Sequence, residues 1–369
     1  MRDKVEILGR DTIVIRLRKP MRVFSTLPLP SIDKLSYGET VEHVIFREID
    51  ERSVCCDLRE YYIRVLRDLG VERALILLTS ASLEKSFKTS RVEEAKTDLY
   101  MSIGLKPSTC LNSKTYEPLR IGTINIVAVV DLPLTDNASI DLLKTIAEAK
   151  TLASSDIILR CSSRSPGTVT DSISILKPAD DPGGILFAGM STTIGNAIAR
   201  EVYRLILEHA MRRSYDEILR DLIGLDLEDL KEIFKKIYSL NPVEGLDISK
   251  ACDKAVRSLI RVLRDPNVWA FIIAARELDL HGISGAIPGL SEEDFKRDSK
   301  KIVADEILGI ALAQYLAGTN GMFTMYWIER LKESGVLEHG ELEMFEDDIV
   351  SALLAYMLLE VLREVEERS

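Results

Sequence analysis

Three short segments decide the fold of this chain: Gly122-Thr123-Ile124-Asn125-Ile126, Glu148-Ala149-Lys150-Thr151 and Gly167-Thr168-Val169-Thr170-Asp171. The first opens a strand that is apolar until Asp131, a pattern typical of a strand covered on both faces. The second lies within a predicted helix. The third is a Gly/Ser/Thr turn that leads into another strand, Ser172 to Leu176. We therefore expect the polar groups of these segments to meet at one edge of a sheet.

The rest of the chain predicts two domains. Before Gly122, runs with strand character alternate with turn signals, and the first two form a hairpin around Gly9-Arg10-Asp11. Beyond about residue 214 only helical patterns remain. The predicted fold is an N-terminal α/β domain, a mixed sheet with helices, over residues 1–213, followed by an all-α helical domain over residues 214–369. The predicted helices of the second part are Tyr215–Ile223, Leu227–Leu240, Ile248–Leu263, Asn267–Leu278, Asp298–Ala317 and Phe345–Glu366.

Composition narrows the classes of function. The net charge of −11 and pI of about 5.1 argue against a nucleic-acid footprint. Five scattered cysteines lack metal spacing, and we expect them to be small, reduced residues. Met1 to Arg18 is too charged for a secretory signal, and no apolar run is long enough to span a membrane. We expect a soluble, cytoplasmic protein, and a homo-oligomer is compatible with the sequence.

Lys150 is the most unusual residue of the N-terminal domain. It lies on the apolar stripe of a helix predicted from about Ser139 to Ala153, together with Leu143, Ile146 and Ala153. A lysine there is costly unless it is paired or functional, although its ammonium can also reach past the core to water.

Polar side chains beside Lys150 complete the N-terminal candidate site. Thr123 and Asn125 share one side of their strand, and a buried asparagine needs hydrogen-bond partners. The turn offers Gly167, the hydroxyls of Thr168 and Thr170, and the carboxylate of Asp171. Asp171 or Glu148 is a candidate general base, and structural hydrogen bonding is the alternative. No histidine lies nearby, so a Ser-His-Asp site has little support.

Two acidic pairs mark a second candidate site, in the C-terminal domain. Asp305 and Glu306 share a helix face with Gly309, and Asp347 and Asp348 precede small residues on another helix. Small side chains would let the two helices pack closely and direct four carboxylates at one point. Oxygen ligands of this kind suit Mg²⁺ that bridges substrate phosphate oxygens.

Each part of this second site has an alternative explanation. Acids in the first turn of a helix also interact with its dipole, which accounts for Asp347 and Asp348. That explanation fails for Asp305 and Glu306 if their helix begins near Asp298. Backbone N–H groups of Gly318 and Thr319 can bind phosphate, or they can belong to an ordinary helix-ending turn.

The N-terminal motifs resemble a known family. Over residues 20–210 the three opening segments are similar, in order and spacing, to recurring blocks of the adenosylcobinamide amidohydrolase family. The resemblance implies hydrolysis of the amide between the aminopropanol arm and the corrin ring, which releases adenosylcobyric acid, with no cofactor in this domain.

The C-terminal motifs resemble another family. Residues 220–360 are similar to the archaeal α-ribazole-phosphate phosphatases, which are related to phosphatidylglycerophosphatase A. The segments that carry the resemblance are Asp265-Pro266-Asn267-Val268, Ile287-Pro288-Gly289-Leu290, Ala304-Asp305-Glu306-Ile307-Leu308-Gly309, Ala317-Gly318-Thr319 and Phe345-Glu346-Asp347-Asp348. The resemblance implies metal-assisted release of phosphate from α-ribazole 5'-phosphate, with the four acids as catalytic and metal-binding groups.

Three segments depart from these family patterns. Gly189-Met190-Ser191-Thr192 stands where the amidohydrolases have a Gly-Thr-His-Thr-like block, so the histidine is lost. Thr109-Cys110-Leu111-Asn112-Ser113 replaces an Arg-Ala-Gly-Asp-Pro-like loop, and Glu329-Arg330-Leu331-Lys332-Glu333 corresponds to an Asp-Arg-x-Lys-Pro-like segment of the phosphatases. Together the two resemblances imply a bifunctional hydrolase of cobamide salvage that acts on small molecules. The alternative is a corrinoid-binding or structural N-terminal domain fused to a single active phosphatase.

Overall fold

The computed structural model describes residues 3–30, 35–36, 39–49, 58–111, 123–179, 184–297, 302–337 and 342–366. The chain divides into two compact units, Met1–Arg212 (unit 1) and Arg213–Ser369 (unit 2). Unit 1 is a mixed sheet with helices and unit 2 consists mostly of helices, so the predicted fold class is confirmed. No described helix combines the length and the apolar character that a membrane span requires.

The strands of unit 1 are mostly short and belong mainly to one sheet. They are β1 Lys4–Leu8, β2 Thr12–Ser25, β3 Leu29–Pro30, β4 Leu35–Ser36, β5 Thr40–Glu48, β6 Leu75–Thr79, β7 Phe87–Val92, β8 Thr97–Ile103, β9 Ser108–Thr109, β10 Ile124–Val130, β11 Gly167–Thr168 and β12 Ser172–Pro178. The main sheet runs β6-β5-β2-β12-β10-β8-β7, with β1 paired to β2 as the predicted hairpin. Only β5–β6 and β10–β12 pair in parallel among these described strands.

The helices of unit 1 are α1 Leu58–Leu69, α2 Leu83–Ser86, α3 Asp136–Asp156 and α4 Thr193–Ala210. Strand β10 is buried throughout because both of its faces are covered. Ile124, Ile126 and Ala128 pack with α3 and α4, whereas Val127 and Val129 pack with apolar residues of β2, β5 and β6. Strand β10 therefore contributes side chains to two different cores, one on each face of the sheet.

Unit 2 contains seven helices within the described ranges. They are α5 Tyr215–Ile223, α6 Leu227–Leu240, α7 Ile248–Val262, α8 Pro266–Ile283, α9 Glu292–Lys296, α10 Ala304–Glu333 and α11 Met344–Glu366. Helix α11 is almost entirely buried from Phe345 to Val361 and packs against α6, α7, α8 and α10. It is the central helix around which this unit is built.

One helix boundary differs from the prediction in a way that affects the second site. Helix α10 begins at Ala304, not near Asp298, which lies outside the described residues, and Val303 is not helical. It also continues to Glu333, with a kink at Gly318, where φ is 65° and ψ is −153°. The expectation of an earlier start was wrong, because the polar segment before Val303 offers no apolar stripe that packing could bury.

Candidate active sites

Lys150 is held in unit 1 by a buried ion pair with Asp171. The two side chains are 11% and 10% exposed, and the Lys150 ammonium also donates to the carbonyl oxygen of Pro166 at 3.2 Å. The ammonium therefore does not extend to bulk water, which was the alternative explanation. Because Lys150 has three N–H donors, these two bonds leave one donor for another group.

The carboxylate of Asp171 organises the turn in front of β12. Its oxygens accept hydrogen bonds from the backbone N–H of Ile124 at 2.8 Å, from that of Thr168 at 3.0 Å, and from the Thr168 hydroxyl. With Lys150, four donors occupy a carboxylate that has about four acceptor positions. Asp171 is thus better suited to orienting Lys150 and the turn than to accepting a proton.

Gly167 lies directly against the ion pair. Its φ is +154°, in the region that favours glycine, and a Cβ at this position would overlap the Asp171 carboxylate and the Lys150 ammonium. Four of the predicted site residues, Lys150, Gly167, Thr168 and Asp171, therefore meet at one place.

Thr123 and Asn125 belong to a buried polar network at the sheet. The Asn125 amide group donates to the carbonyl oxygen of Leu78 at 2.9 Å and to the Ser102 hydroxyl at 3.0 Å. Its carbonyl oxygen accepts from Ser172 at 2.5 Å and lies 2.9 Å from the Thr123 hydroxyl. All hydrogen-bonding groups of this asparagine are satisfied, so the network joins strands and leaves Asn125 no group for a ligand.

Two other predicted residues lie away from the ion pair. Glu148 is exposed on α3, and residues two apart on a helix do not share a face with each other. Thr170 is half-buried, and its carbonyl oxygen lies 2.9 Å from the Thr123 hydroxyl. Gly122 lies outside the described residues.

A disulfide joins the two segments that lead into this site. Cys110 and Cys161 are bonded, with Cα atoms 5.6 Å apart, although we expected reduced cysteines. Cys110 follows β9, which pairs with β11 through Thr109 and Gly167. Sequence spacing gave no signal for a bond between residues 51 positions apart. Cys252 is free and buried, as expected, and Cys55 and Cys56 lie outside the described residues.

The segment that replaces the histidine block begins α4. Thr192 is the N-cap of α4, where its hydroxyl oxygen accepts from the N–H of Gly195 at 3.0 Å. Asp141 on α3 accepts from the N–H of Ala188 at 3.0 Å. This segment is therefore positioned by backbone hydrogen bonds, with Ser191 exposed at the start of the helix.

In unit 2, Asp305 and Asp348 form a buried acidic pair between α10 and α11. They are 4% and 6% exposed. Burial, followed by its contact with Glu306, raises the pKa of Asp305 to about 6. Burial, followed by repulsion from Glu329, raises the pKa of Asp348 to about 8.

The close approach of these helices depends on Gly309. A Cβ on this glycine would lie 2.8 Å from the Cβ of Asp348 and 3.0 Å from its carbonyl oxygen. The structure thus brings together the two segments that the sequence singled out, at a small residue, although Glu306 faces solvent and Asp347 binds Lys332.

Lys332 is a member of this cluster that the pattern of acids did not identify. Its ammonium donates to Glu329 at 2.7 Å, to Asp347 at 2.5 Å and to Ser351 at 3.1 Å. The Lys332 side chain is only 12% exposed. Its positive charge lowers the pKa of Asp348, but burial raises that pKa by more. The available signal was the segment from Glu329 to Glu333, noted above as a departure from an Asp-Arg-x-Lys-Pro-like family segment but with the lysine kept.

The remaining predicted residues of unit 2 are exposed. Asp305 and Glu306 lie in the first turn of α10, where acidic side chains interact favourably with the helix dipole. The argument that the dipole does not explain these two acids depended on an earlier helix start and was wrong. Glu306 faces solvent, as do Gly318 and Thr319 at the kink. The structure does not bring Gly318 and Thr319 into the hydrogen-bonded cluster of Lys332.

A second group of charges lies fully buried between α8 and α11. Arg276 and Glu346 form an ion pair at 2.9 Å and are 1% and 0% exposed. Asp279 accepts from the backbone N–H groups of Phe345 and Glu346, both at 2.9 Å. Burial and then repulsion from Glu346 raise the pKa of Asp279 to about 8. The sequence analysis did not identify this group. The signal that could have done so is the pair Arg276 and Asp279, two charged residues three positions apart on a largely apolar helix.

The carboxylate oxygens of Asp305 and Asp348 are ligands of the kind that bind a divalent cation. Asp305 Oδ1 is buried and has no hydrogen-bond partner among the described residues, and a cation would relieve the repulsion between the two carboxylates. No closed group of three or more His, Cys, Asp or Glu ligands is formed within the described ranges. Mg²⁺ is commonly held by one or two carboxylates with water and substrate phosphate, so two are sufficient.

Comparison with known proteins gives a family match and similar sequences. The sequence profile of CbiZ, adenosylcobinamide amidohydrolase, matches residues 1–217. Two uncharacterized proteins of Methanocaldococcus jannaschii are also similar. One is 33% identical over 107 residues, which are 28% of this chain and 79% of that protein. The other is 24% identical over 225 residues, 55% of this chain and 86% of that protein.

Solved structures resemble parts of the chain only distantly. The low temperature requirement C protein of Listeria monocytogenes has a TM-score of 0.34 at 21% identity and covers 41% of this chain and 94% of its own. The protein ypjQ of Bacillus subtilis has a TM-score of 0.32 at 20% identity, covering 40% and 89%.

Proposed function

The chain belongs to the adenosylcobinamide amidohydrolase family, and from this premise we propose that unit 1 hydrolyses adenosylcobinamide. The products are adenosylcobyric acid and the aminopropanol arm. The proposal is supported by the family match over residues 1–217 and by one observation in the structure. That observation is the buried ammonium of Lys150, held by Asp171 with a donor to spare.

Hydrolysis of an amide develops negative charge on the carbonyl oxygen. A preorganised cation stabilises that charge well in a site that excludes water. Lys150 supplies the cation, and Asp171 fixes its direction because four donors hold the carboxylate in place. In this scheme Asp171 is a positioning residue and Lys150 donates its third N–H to the substrate oxygen.

The reaction also needs a group that moves protons. Water attacks the carbonyl carbon and gives a proton to a base, the C–N bond breaks, and the proton passes to the departing amine. Glu148 is exposed and lies on a different face of α3 from Lys150, and the acceptor positions of Asp171 are occupied, so we assign the base to neither residue.

The test is incubation of the full chain with adenosylcobinamide, followed by mass spectrometry of the corrinoid products. Lys150→Met and Asp171→Asn should abolish formation of adenosylcobyric acid, and Glu148→Gln, on a different face of α3, should leave it unchanged. Lys144→Met is the matched control, because Lys144 lies on the same helix in an exposed ion pair and should leave turnover unchanged. A corrinoid that binds but is never hydrolysed would instead indicate a binding domain. Full turnover by Lys150→Met would remove the proposed site.

For unit 2 we propose a phosphomonoesterase that acts on α-ribazole 5'-phosphate. The observation that favours it is the buried pair of Asp305 and Asp348, with one carboxylate oxygen unpartnered among the described residues. Mg²⁺ bound there would neutralise charge on the phosphate oxygens. Lys332 fixes the carboxylates of Glu329 and Asp347 beside the pair.

Phosphate release from α-ribazole 5'-phosphate, with and without EDTA, tests this second activity. Asp305→Asn and Asp348→Asn should abolish release. Glu333→Gln, an exposed acid at the end of the same helix α10, should not change it. Activity that survives EDTA, or survives Asp305→Asn, would contradict the assignment. Both proposed activities serve the nucleotide loop of cobamides, which gives a reason for their fusion.

A further inference from the structure

Helix α11 begins without a favourable cap of its own. The first amides of a helix have no partner within it. Asp347 N–H donates to the carbonyl oxygen of Glu343 at 2.9 Å, so Glu343 occupies the cap position before Met344. Glutamate is not among the residues that cap well, which are Ser, Thr, Asp and Asn.

A carboxylate from another helix supplies the missing cap. Asp279, near the end of α8, accepts from the N–H of Phe345 through Oδ1 and from that of Glu346 through Oδ2. Both bonds are 2.9 Å long, and Asp279 is completely buried. The first turn of α11 is therefore attached to α8 in a defined orientation.

The neighbouring ion pair sets the rotation of the same turn. Arg276, on α8, binds Glu346, and both side chains are buried. Of three consecutive acids, Glu346 is thus turned toward α8, while Asp347 binds Lys332 and Asp348 packs against Gly309 of α10. Asp348 is directed to the candidate cation site as a result, and Asp347 to Lys332 beside it.

We propose that Asp279 is a positioning residue for the cation site of unit 2. By capping α11 from α8, it fixes the direction in which Asp348 and Asp347 present their carboxylates. This inference rests on the phosphatase function proposed above. It predicts that losing the cap weakens cation binding, beyond any loss of stability.

The test measures Mg²⁺ binding to the full chain by calorimetry, with no substrate present. Asp279→Asn keeps only one acceptor oxygen, and it should raise the Kd for Mg²⁺ by about tenfold, as removal of orienting groups around metal ligands does. Asp226→Asn is the matched control, because Asp226 caps α6 by accepting from two backbone N–H groups in the same unit. It should lower stability and leave the Kd within twofold of the wild type.

A rescue variant keeps the proposal falsifiable if Asp279→Asn folds poorly. In an Asp279→Ala background, Glu343→Ser places a favourable cap on α11 itself, and the Mg²⁺ affinity should return toward the wild-type value. An Asp279→Asn Kd equal to that of the wild type, with only the urea midpoint lowered, would overturn the positioning role. A wild-type chain that neither binds Mg²⁺ nor releases phosphate would instead overturn the proposed phosphatase.

Discussion

Replacement of Gly167 by alanine tests the geometry of the N-terminal site most sharply. A residue other than glycine at φ +154° costs about 1–3 kcal/mol. The new methyl group would also push apart Lys150 and Asp171, and breaking a buried pair costs about 3–5 kcal/mol. Because both side chains keep about 10% exposure and can shift together, we expect only part of the pair's energy to be lost, and a total of about 3 kcal/mol.

The assay must report on unit 1 alone. The two tryptophans, Trp269 and Trp327, both belong to unit 2, so tryptophan fluorescence is unsuitable. Hydrogen exchange of the Ile124 amide, which donates to Asp171, should be about 100-fold faster in Gly167→Ala. Gly184→Ala is the control, since no atom lies within 4 Å of its added Cβ. Equal exchange in the two variants would refute the proposed packing.

Further predictions concern the disulfide and the acidic pair. Replacing Cys110 and Cys161 by serine should lower the stability of unit 1 by roughly 4 kcal/mol, given a sequence separation of 51, and peptide mapping without reductant should find the bond in the wild type. Asp305 and Asp348 have pKa values raised from 3.8 to about 6 and about 8, so the folded state binds more protons than the unfolded chain. Metal-free unit 2 should therefore lose stability as pH rises from 5 to 8, by on the order of 5 kcal/mol in urea unfolding, and a rise over that range would contradict the burial of these acids. Lys332→Met should destabilise unit 2 at pH 8 by about 1 kcal/mol more than at pH 5, because Asp348 is protonated at the lower pH.

The sequence predicted the sheet and most helices because their patterns are local. The apolar run of β10 and the ends of α5 and α6 follow from local periodicity, and the structure shows Ser214 and Asp226 as the caps of those two helices. The start of α10 could not be predicted in this way. It depends on where packing against α11 begins, and no cap side chain at Val303 marks it.

The partners of buried charges were the least predictable feature of the candidate sites. The position of Lys150 on an apolar stripe showed that it needed a partner, and Asp171 already belonged to the candidate set. Arg276 and Asp279 meet Glu346 only through tertiary packing, about 70 positions along the chain, which no short pattern records. The bond between Cys110 and Cys161 could not be predicted either, because its two residues also meet only through tertiary packing.

Hydrolysis of adenosylcobinamide by the full chain in ¹⁸O-labelled water tests the central claim most directly. If unit 1 is an amidohydrolase, mass spectrometry should find one ¹⁸O atom in adenosylcobyric acid and an equal amount of free aminopropanol. Recovery of adenosylcobinamide unchanged, from protein shown to bind it, would contradict the claim.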